Sequence, residues 1–483
     1  MRVALIHYDV SRIVNEPGNK TVMKHFGHMP NIQLLYVAAV LEQLDVELLY
    51  IDVVGMEVSN YELEKRLKKF QPDLIGLSVF TSHFQKVLSF SAYLKTFLPD
   101  SKIILGGVHT SIFPTETLEY QSNVDYVCVG EAEIVLPEFV KRWLNNESFE
   151  GVRGIVWRDE DTVRYAGPPD LNHNLDSMPF PARHLVPNHK YYNFISTRRN
   201  YSVFNSSRGC PFHCIFCEAA GTKWRARSAA NVVAEFEECY EKYGIREIDM
   251  FDSSFTVSKK RVFEICDLLI KSGLNKKIIW DVRSRVDTVN EEMLEALKEA
   301  GCYRIFYGIE SANMDILNKL RKEIRMDRIE KIIKKTDQVG ISAFGYFLIG
   351  SPGETKETAR QTIDFAKKLP LDFAIFNNLT AFPKTELYEK YYLPFVQHDF
   401  WAEYIKKPES DTTFMGRPWT AMGNEELRQI AHGAMNEYYF RPRQILRALK
   451  SIGSFEQFWR YISAGVDMSW SYFSNKKSLK HES

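Results

Sequence analysis

The chain has 483 residues with 62 basic and 62 acidic side chains, and 45% of its residues are hydrophobic. This length predicts about two to four domains, and the balanced charge argues against a nucleic-acid-binding protein with a broad cationic face. The composition is that of a globular chain and not of a disordered one.

The N-terminal residues and the cysteines indicate the compartment. Residues 1–8 read as a short apolar strand followed by polar residues, without the apolar core of a secretion signal. No apolar run approaches the ~18 residues of a membrane-spanning helix. Seven cysteines are few for a disulfide scaffold of this length. We therefore expect a cytoplasmic protein.

Residues 1–145 alternate short apolar runs with amphipathic helical patterns, which is typical of a parallel sheet wrapped by helices. The predicted strands are Val3–His7, Glu47–Asp52, Leu74–Ser78, Ile103–Gly106 and Tyr126–Val129. The predicted helices are Ile32–Leu44, Tyr61–Phe70, Phe84–Phe97 and Glu133–Leu144. This pattern predicts a doubly wound, Rossmann-like domain, whose ligand site lies at the carboxyl ends of the strands.

The loops that follow these strands are small and polar. Glycines there permit a close approach of the backbone, and hydroxyl groups can donate hydrogen bonds to a large polar cofactor. The candidate binding residues are Ser78, Thr81, Gly106, Gly107, His109, Gly130 and Glu131.

Two further regions follow along the chain. Residues 146–200 are rich in proline and poor in periodicity, so we expect an extended linker. Residues 201–395 resume the strand–helix alternation, and six such units predict a partial (βα)6 barrel with reacting groups at its carboxyl mouth. The predicted barrel strands are Ser202–Ser206, Glu247–Phe251, Ile278–Arg283, Arg304–Tyr307, Ser342–Leu348 and Phe373–Leu379.

Cys210, Cys214 and Cys217 form a C-x3-C-x2-C triplet after the first predicted barrel strand. Structural zinc and ordinary iron–sulfur clusters usually take four protein ligands, and no second C-x-x-C pair is present in the sequence. The triplet therefore predicts a 4Fe–4S cluster with one iron open to a small molecule, and a partial zinc loop is the alternative. The four remaining cysteines stand singly in apolar settings and are interpreted as core residues.

The triplet, with Phe216 before its last cysteine, resembles the signature of the radical S-adenosylmethionine enzymes. In that family the open iron binds S-adenosylmethionine, and one electron from the cluster cleaves it to methionine and a 5′-deoxyadenosyl radical. The resemblance implies both cofactors, and an electron donor such as flavodoxin or ferredoxin.

Polar residues also follow the later barrel strands. A zwitterionic nucleoside needs an acceptor for its ammonium, a cation for its carboxylate, and polar groups for its ribose. The family resemblance carries these roles to Asp252, Arg285 and Glu310, and a rim salt bridge is the alternative for each of them.

The runs Leu105–Thr110, Phe113-Pro114 and Val129–Glu131 resemble the cobalamin-binding domain that precedes many radical S-adenosylmethionine cores. This resemblance implies cobalamin as a third cofactor. Methionine-synthase-type domains carry Asp-x-His-x-x-Gly, whose histidine ligates cobalt, whereas Asp52-Val53-Val54-Gly55-Met56-Glu57 here has no histidine. His109 either reaches the corrin or is a loop histidine bonded to the backbone.

Residues 396–483 change character, and we expect a mainly helical C-terminal region. Arg441–Lys450 and Phe455–Ile462 are amphipathic, with apolar residues on one face and basic residues elsewhere. The simpler interpretation is a helical cap that closes the barrel. The alternative is a basic amphipathic surface that rests peripherally on a membrane and accepts a lipophilic substrate.

These resemblances together imply a cobalamin-dependent radical S-adenosylmethionine enzyme, most often a C-methyltransferase acting on an unactivated carbon. We expect its substrate to be a hydrophobic small molecule, a lipid or a tetrapyrrole precursor, and no nucleic acid to be a partner. The alternatives are a cyclase or ring-rearranging enzyme without net methyl transfer, and a cobalamin-binding sensor.

Overall fold

The computed structural model describes residues 1–8, 27–407, 415–450, 452 and 457–463. Within them two sheets follow one another along the chain. They are called here the first unit and the second unit. None of the helices in these ranges combines the length and apolar character that crossing a bilayer would require.

The first unit is a seven-stranded sheet in the order β2-β1-β3-β4-β5-β6-β7. Its first five strands are parallel, and β5, β6 and β7 pair antiparallel. The strands are β1 (Arg2–His7), β2 (Glu47–Asp52), β3 (Leu74–Ser78), β4 (Lys102–Gly106), β5 (Tyr126–Cys128), β6 (Ile155–Asp159) and β7 (Thr162–Tyr165). This order places the topological switch point between β1 and β3, where open parallel sheets bind ligands.

Helices cover both faces of this sheet, as its buried parallel strands require. They are Ile32–Leu41, Asn60–Phe70, Phe84–Phe97, Val108–Ile112, Glu116–Tyr120 and Ala132–Leu144. Ile32–Leu41 is buried along nearly its whole surface, with only Gln33 exposed, because it packs against the sheet on one side and the second unit on the other.

The second unit is a six-stranded parallel sheet in sequential order, which is the partial barrel that the sequence predicts. Its strands are β8 (Tyr201–Phe204), β9 (Glu247–Met250), β10 (Ile279–Ser284), β11 (Cys302–Glu310), β12 (Ser342–Ile349) and β13 (Phe373–Asn378). Its helices are Ala229–Glu241, Lys259–Lys271, Glu291–Glu299, Met314–Lys319, Met326–Gln338 and Lys356–Lys368. The predicted fold class is therefore confirmed.

Several helices begin where the sequence carries a capping side chain. The Ser228, Ser258 and Asn290 side chains each accept a hydrogen bond from the backbone N–H three residues on. Thr355 and Thr358 form a reciprocal capping box at the start of Lys356–Lys368. These caps satisfy amide groups that the first helical turn leaves free, so the loops between strand and helix have sharply defined ends.

The linker differs from the expectation of an extended segment throughout 146–200. Residues 155–165 form the β6–β7 hairpin, which extends the first sheet. The alternation in Ile155–Asp159 is short and lies between glycine- and proline-rich stretches, so pairing with β5 decides its structure. Further on, buried Arg183 reaches into the second unit, with its Nη2 2.5 Å from Glu235 Oε1.

Of the C-terminal helices, Asn424–Tyr439 and Pro442–Lys450 pack on the outside of the barrel, whereas Phe400–Lys406 packs on helix Glu116–Tyr120 of the first unit. Tyr438 and Tyr439 donate hydrogen bonds from their hydroxyls to the carbonyls of Leu371 and Ala374, which covers the edge strand β13. The predicted stretch Phe455–Ile462 is described from residue 457, and Tyr461 packs on Phe373 beneath the barrel. Residues 464–483 of the predicted C-terminal region lie outside the described residues.

Candidate active site

A cavity of about 1870 Å³ lies between the two units. It is larger than the roughly 300–1,000 Å³ of common small-ligand pockets. One wall comes from the carboxyl ends of β1, β3 and β4 at the switch point, and the facing wall comes from β8, β9 and the cysteine loop. The predicted site residues that line it are Ser78, Gly106, Gly107, Gly130, Glu131 and Cys217.

Glycines shape the wall that the first unit supplies. Gly107 has φ +118°, and a Cβ there would lie 2.7 Å from the carbonyl oxygen of Val79. Gly130 has φ +77°, and a Cβ there would lie 2.6 Å from Pro169 Cγ. Both positions therefore admit only glycine without strain, and the loops after β4 and β5 can come close to a large ligand.

His7 and Asp52 are wall residues that sequence reasoning did not select. His7 Nδ1 lies 3.3 Å from Asp52 Oδ1, and the Tyr191 hydroxyl donates to Asp52 Oδ2 at 2.6 Å. Burial works to raise the pKa of Asp52, but the His7 and Tyr191 contacts outweigh it and lower this pKa. His7 ends β1, which flanks the switch point, and Asp52 ends the neighbouring strand β2. A polar residue at the carboxyl end of a strand was the signal available in the sequence.

The cysteine loop is held at both ends and in its middle. The Cys210 N–H donates to Thr222 Oγ1 at 3.0 Å. The Ile215 N–H donates to the Leu320 carbonyl at 3.2 Å, and the Ile215 carbonyl accepts from the Leu387 N–H at 2.8 Å. The loop after β8 is thus tied to the segments that follow β11 and β13, at the carboxyl mouth of the barrel.

The three thiols lie close enough to influence one another. Burial raises the pKa of the Cys210 and Cys217 thiols, and the neighbouring thiols raise it further, while the Lys322 ammonium opposes this rise. Within the described ranges, however, no three His, Cys, Asp or Glu side chains converge on a point that suits one metal ion. The three thiols of this one loop are the candidate ligands of the predicted cluster.

Asp252 does not line the cavity. It is fully buried, and its two carboxylate oxygens accept hydrogen bonds from the backbone N–H groups and hydroxyls of Ser206 and Ser207, at 2.5–3.0 Å. The carboxylate therefore anchors the base of the cysteine loop. The sequence places Asp252 at the end of a barrel strand, but only the tertiary fold shows that the serines occupy both of its oxygens.

Arg285 and Glu310 are also buried and bonded within the protein. Arg285 Nη1 lies 3.4 Å from Cys214 Sγ, and its other donors reach Asp287 and the Lys322 carbonyl. Glu310 accepts from Lys322 Nζ at 2.8 Å, and a Cβ at Gly308 would stand 2.5 Å from Glu310 Oε1. Lys322 is therefore a second cation beside the cysteine triplet, which sequence reasoning missed.

Several buried polar atoms at the barrel mouth have no hydrogen-bond partner in the described structure. They are Ser254 Oγ after β9, Ser351 Oγ and Glu354 Oε1 after β12, and Asn378 Oδ1 at the end of β13. Burial raises the pKa of Glu354 to about 7. Unpaired buried polar atoms are uncommon in folded proteins, so these strand-end atoms are candidates for contact with a polar ligand.

Thr81, His109 and Phe216 also do not line the cavity. Thr81 is buried, and Phe216 packs into the apolar core that the two units share. His109 is fully buried, its ring stacks on Phe84 at 3.9 Å, and neither ring nitrogen has a partner. Neither alternative for His109 matches this position, because its ring faces the core and has no bond to the backbone.

Comparisons with known proteins agree with this arrangement. Residues 20–140 match the family model for the B12 binding domain, and residues 204–366 match that of the radical SAM superfamily. An uncharacterized methyltransferase of Pyrococcus horikoshii is 31% identical, over 86% of this chain and 89% of that relative. The anaerobic magnesium-protoporphyrin IX monomethyl ester cyclase of Cereibacter sphaeroides is 27% identical, over 71% of this chain and 56% of that relative.

Among solved structures, the radical S-adenosylmethionine methyltransferase TsrM from Kitasatospora setae, with cobalamin and a [4Fe-4S] cluster bound, has the same fold. The TM-score is 0.69 at 18% identity, with 98% of this chain and 99% of that chain covered.

The donor set and the cavity described above fit these cofactors. Three thiols of one loop suit a 4Fe–4S cluster, and the glycine-walled cavity at the switch point suits a corrin. A 4Fe–4S cluster, S-adenosylmethionine and cobalamin are the cofactors of this enzyme, and the chain belongs to the cobalamin-binding radical S-adenosylmethionine enzymes.

Proposed function

We propose that this enzyme transfers a methyl group to an unactivated carbon of a hydrophobic small molecule. The observation that carries the proposal is one continuous cavity that reaches both the switch point of the first unit and Cys217 of the cysteine loop. Its wall includes apolar side chains from both units, among them Met29, Leu77, Val203 and Phe251. The similarity to the uncharacterized methyltransferase of Pyrococcus horikoshii supports the same reaction.

The chain's own residues bind and orient the reacting groups in this proposal. Cys210, Cys214 and Cys217 would hold the cluster, and Ser78 with the glycine loops at 106–107 and 130 would hold cobalamin. When bound, the cluster with S-adenosylmethionine supplies a 5′-deoxyadenosyl radical and cobalamin supplies the methyl group. The protein contributes alignment and exclusion of water, which are worth several kcal/mol in enzymes generally.

The buried polar atoms of the barrel mouth are the S-adenosylmethionine contacts that this proposal favours. Ser254, Ser351 and Glu354 each keep a free polar atom there. Asp252 and Arg285 act instead on the cysteine loop, since their polar atoms already hold it. Glu310 accepts a hydrogen bond from Lys322 and so holds this cation beside the cysteine triplet.

The test is the fate of a labelled methyl group. The protein is reconstituted anaerobically with iron, sulfide and cobalamin, and is incubated with methyl-labelled S-adenosylmethionine, a strong reductant and metabolite extracts from cells that lack the gene. We expect a product that gains one labelled methyl group, together with 5′-deoxyadenosine. The Cys214→Ala variant should form neither, whereas a cobalamin sensor would keep its response without this cysteine.

The second candidate is a cyclase, which the Cereibacter relative favours. The same experiment separates the two reactions, because a cyclase product changes in unsaturation or ring count and carries no label. An unlabelled product that forms together with 5′-deoxyadenosine would therefore replace the methyltransferase proposal with the cyclase.

Two partners belong to the same proposal. Reductive cleavage needs one electron, so we expect flavodoxin or ferredoxin to replace the chemical reductant.

Peripheral membrane contact would use helix Pro442–Lys450, whose Ile445, Leu446 and Leu449 are 46–58% exposed. Arg447 anchors this helix to Asp372, ahead of β13 and so at the barrel end opposite the cysteine loop. Sedimentation with anionic vesicles, compared with Leu446→Ser, tests this contact.

A further inference from the structure

The neck of the cysteine loop carries an unusual pair of like charges. Ser207–Arg208 and Arg225–Ala226 form a short antiparallel pair, in which Arg208 lies directly opposite Arg225. Residues 209–224, with all three cysteines, form the loop that this pair closes. Like charges directly opposite each other on neighbouring strands are destabilising, so this neck needs negative charge from elsewhere.

The first unit supplies that charge. Glu131 and Glu133 lie at the start of helix Ala132–Leu144. Glu131 Oε2 lies 3.0 Å from Arg208 Nη1 and 3.1 Å from Arg225 Nη1, and its Oε1 also accepts from Arg225 Nη2. Glu133 pairs with Arg208. Burial acts to raise the pKa of Glu131, but the two arginines outweigh it and keep this carboxylate charged.

These four residues are at most 20% exposed and all line the cavity between the units. A buried ion pair contributes little net stability because desolvation offsets its attraction, but removal of one partner is costly. Its best-attested use is to select one arrangement of the parts that it joins. The quartet joins the loop that begins at Gly130 to the loop that holds the cysteines.

We propose that Arg208 and Arg225 are positioning residues, which seat the cysteine loop against the cobalamin-binding unit through Glu131 and Glu133 and so set the separation of corrin and cluster. Glu131 then acts through the arginines and not as a direct contact of cobalamin. This inference rests on the cofactors of the family and not on the identity of the substrate, so it can fail while the proposed methyl transfer holds.

The test measures that separation directly. The full chain is loaded with cluster and cobalamin, and the spin–spin interaction between cob(II)alamin and the reduced cluster is measured by pulsed electron paramagnetic resonance. We expect Arg225→Gln to broaden or shift the distance distribution, and the charge-swapped variant Glu131→Arg with Arg225→Glu to restore it. Cleavage of S-adenosylmethionine without substrate should persist in Arg225→Gln, whereas coupled methyl transfer should fall by about 100-fold.

Lys190→Gln is the matched control, since it breaks a 2.9 Å pair with Glu57 that also joins the first unit to a later segment but is exposed. It should leave the distance unchanged. The proposal would be overturned if Arg225→Gln and Arg208→Gln, loaded with cluster and cobalamin, kept the cluster–cobalamin distance of the parent protein. If Arg225→Gln does not bind the two cofactors, the charge-swapped variant is the deciding measurement. Restored cofactor binding and distance would support the proposal, and continued failure to bind them would overturn it.

Discussion

Buried polar side chains around the active site differ in whether their hydrogen bonds are complete. Asp252 has four donors on its carboxylate, from Ser206 and Ser207 just ahead of the cysteine loop. Ser254, two residues further along, is equally buried but has no partner for its hydroxyl. The first arrangement indicates a structural anchor, and the second leaves a hydroxyl that can make the ligand contact proposed above.

Asp252→Asn should therefore loosen the cysteine loop. The asparagine amide keeps one acceptor oxygen, but its NH2 group faces the serine hydroxyl and backbone N–H donors and cannot accept their hydrogen bonds. The free energy of unfolding should therefore fall by about 3 kcal/mol. Iron bound per chain after reconstitution and the urea midpoint measure the effect. Ser254→Ala is the control, and it should retain both iron and stability while it weakens S-adenosylmethionine binding.

His109 predicts a pH effect on stability. Burial lowers its pKa to about 3, from an ordinary 6.5. Below pH 6.5 His109 binds a proton in the unfolded chain but stays neutral in the folded chain. Each pH unit of acidification from pH 6.5 to pH 3 therefore lowers the free energy of unfolding by about 1.4 kcal/mol. Above pH 6.5 His109 is neutral in both states, so its titration does not change the free energy of unfolding.

His109→Leu should remove that slope. Urea midpoints of the variant and the parent should be similar at pH 7.5, and the variant should be the more stable at pH 5.5. Cobalamin binding, followed by its absorption, should survive the change, because the ring does not line the cavity. Loss of cobalamin at pH 7.5 would show that His109 contacts the corrin after all.

At the scale of elements, the turn at Gly209 helps to position the three cysteines. Gly209 has φ +79°, and a Cβ there would lie 2.3 Å from the Lys223 carbonyl oxygen. The neck of the cysteine loop can therefore close only with glycine beside Cys210. The sequence Gly209-Cys210 marks this turn, but the residue that crowds it comes from the other side of the loop.

Gly209→Ala should open the neck and reduce iron retention. The left-handed backbone alone costs an alanine about 1–2 kcal/mol, and the contact with Lys223 adds to this. Gly433→Ala is the matched control, since it lies within helix Asn424–Tyr439 with nothing within 4 Å of its added Cβ. That change should raise the free energy of unfolding by about 0.5–1 kcal/mol and leave iron content unchanged.

At the scale of the whole molecule, the two units share their apolar cores. One core joins helix Ile32–Leu41 to β8 and the helices of the barrel. The other joins the strands of the first unit to Ile215, Leu379 and Trp401. Because each unit would expose large apolar surfaces without the other, their stabilities are coupled.

The chain should consequently unfold in one transition. Circular dichroism and tryptophan fluorescence should give coincident urea curves, with tryptophans such as Trp157 and Trp280 reporting from different units. Two separated transitions would contradict the shared cores. A fragment that ends after β7 should aggregate, because helix Ile32–Leu41 would face water on the side that now meets the barrel.

Much of the architecture follows from local pattern. The alternation of apolar runs and helical periods predicted five strands of the first sheet and all six of the second, because buried parallel strands are continuous apolar runs. The β6–β7 hairpin and the length of β11, which continues through Gly308 to Glu310, were missed. β11 is extended by pairing with β12, which is distant along the chain and leaves no local signal. β6 and β7 pair with each other across a tight turn, but their place in the sheet depends on pairing with the more distant β5.

The cluster ligands were identified from the sequence alone, since three cysteines on one loop fix their own spacing whatever surrounds them, and the family resemblance implied S-adenosylmethionine and cobalamin. The tertiary structure alone decided which polar residues face a ligand and which hold the site together. Asp252 and Arg285 follow the ends of barrel strands, as a nucleoside contact would, yet they bond to the cysteine loop. Arg208 and Arg225 pair with carboxylates that lie far back along the chain, in the other unit. Partners so far apart along the chain meet only through packing, and no reading of local sequence can place them.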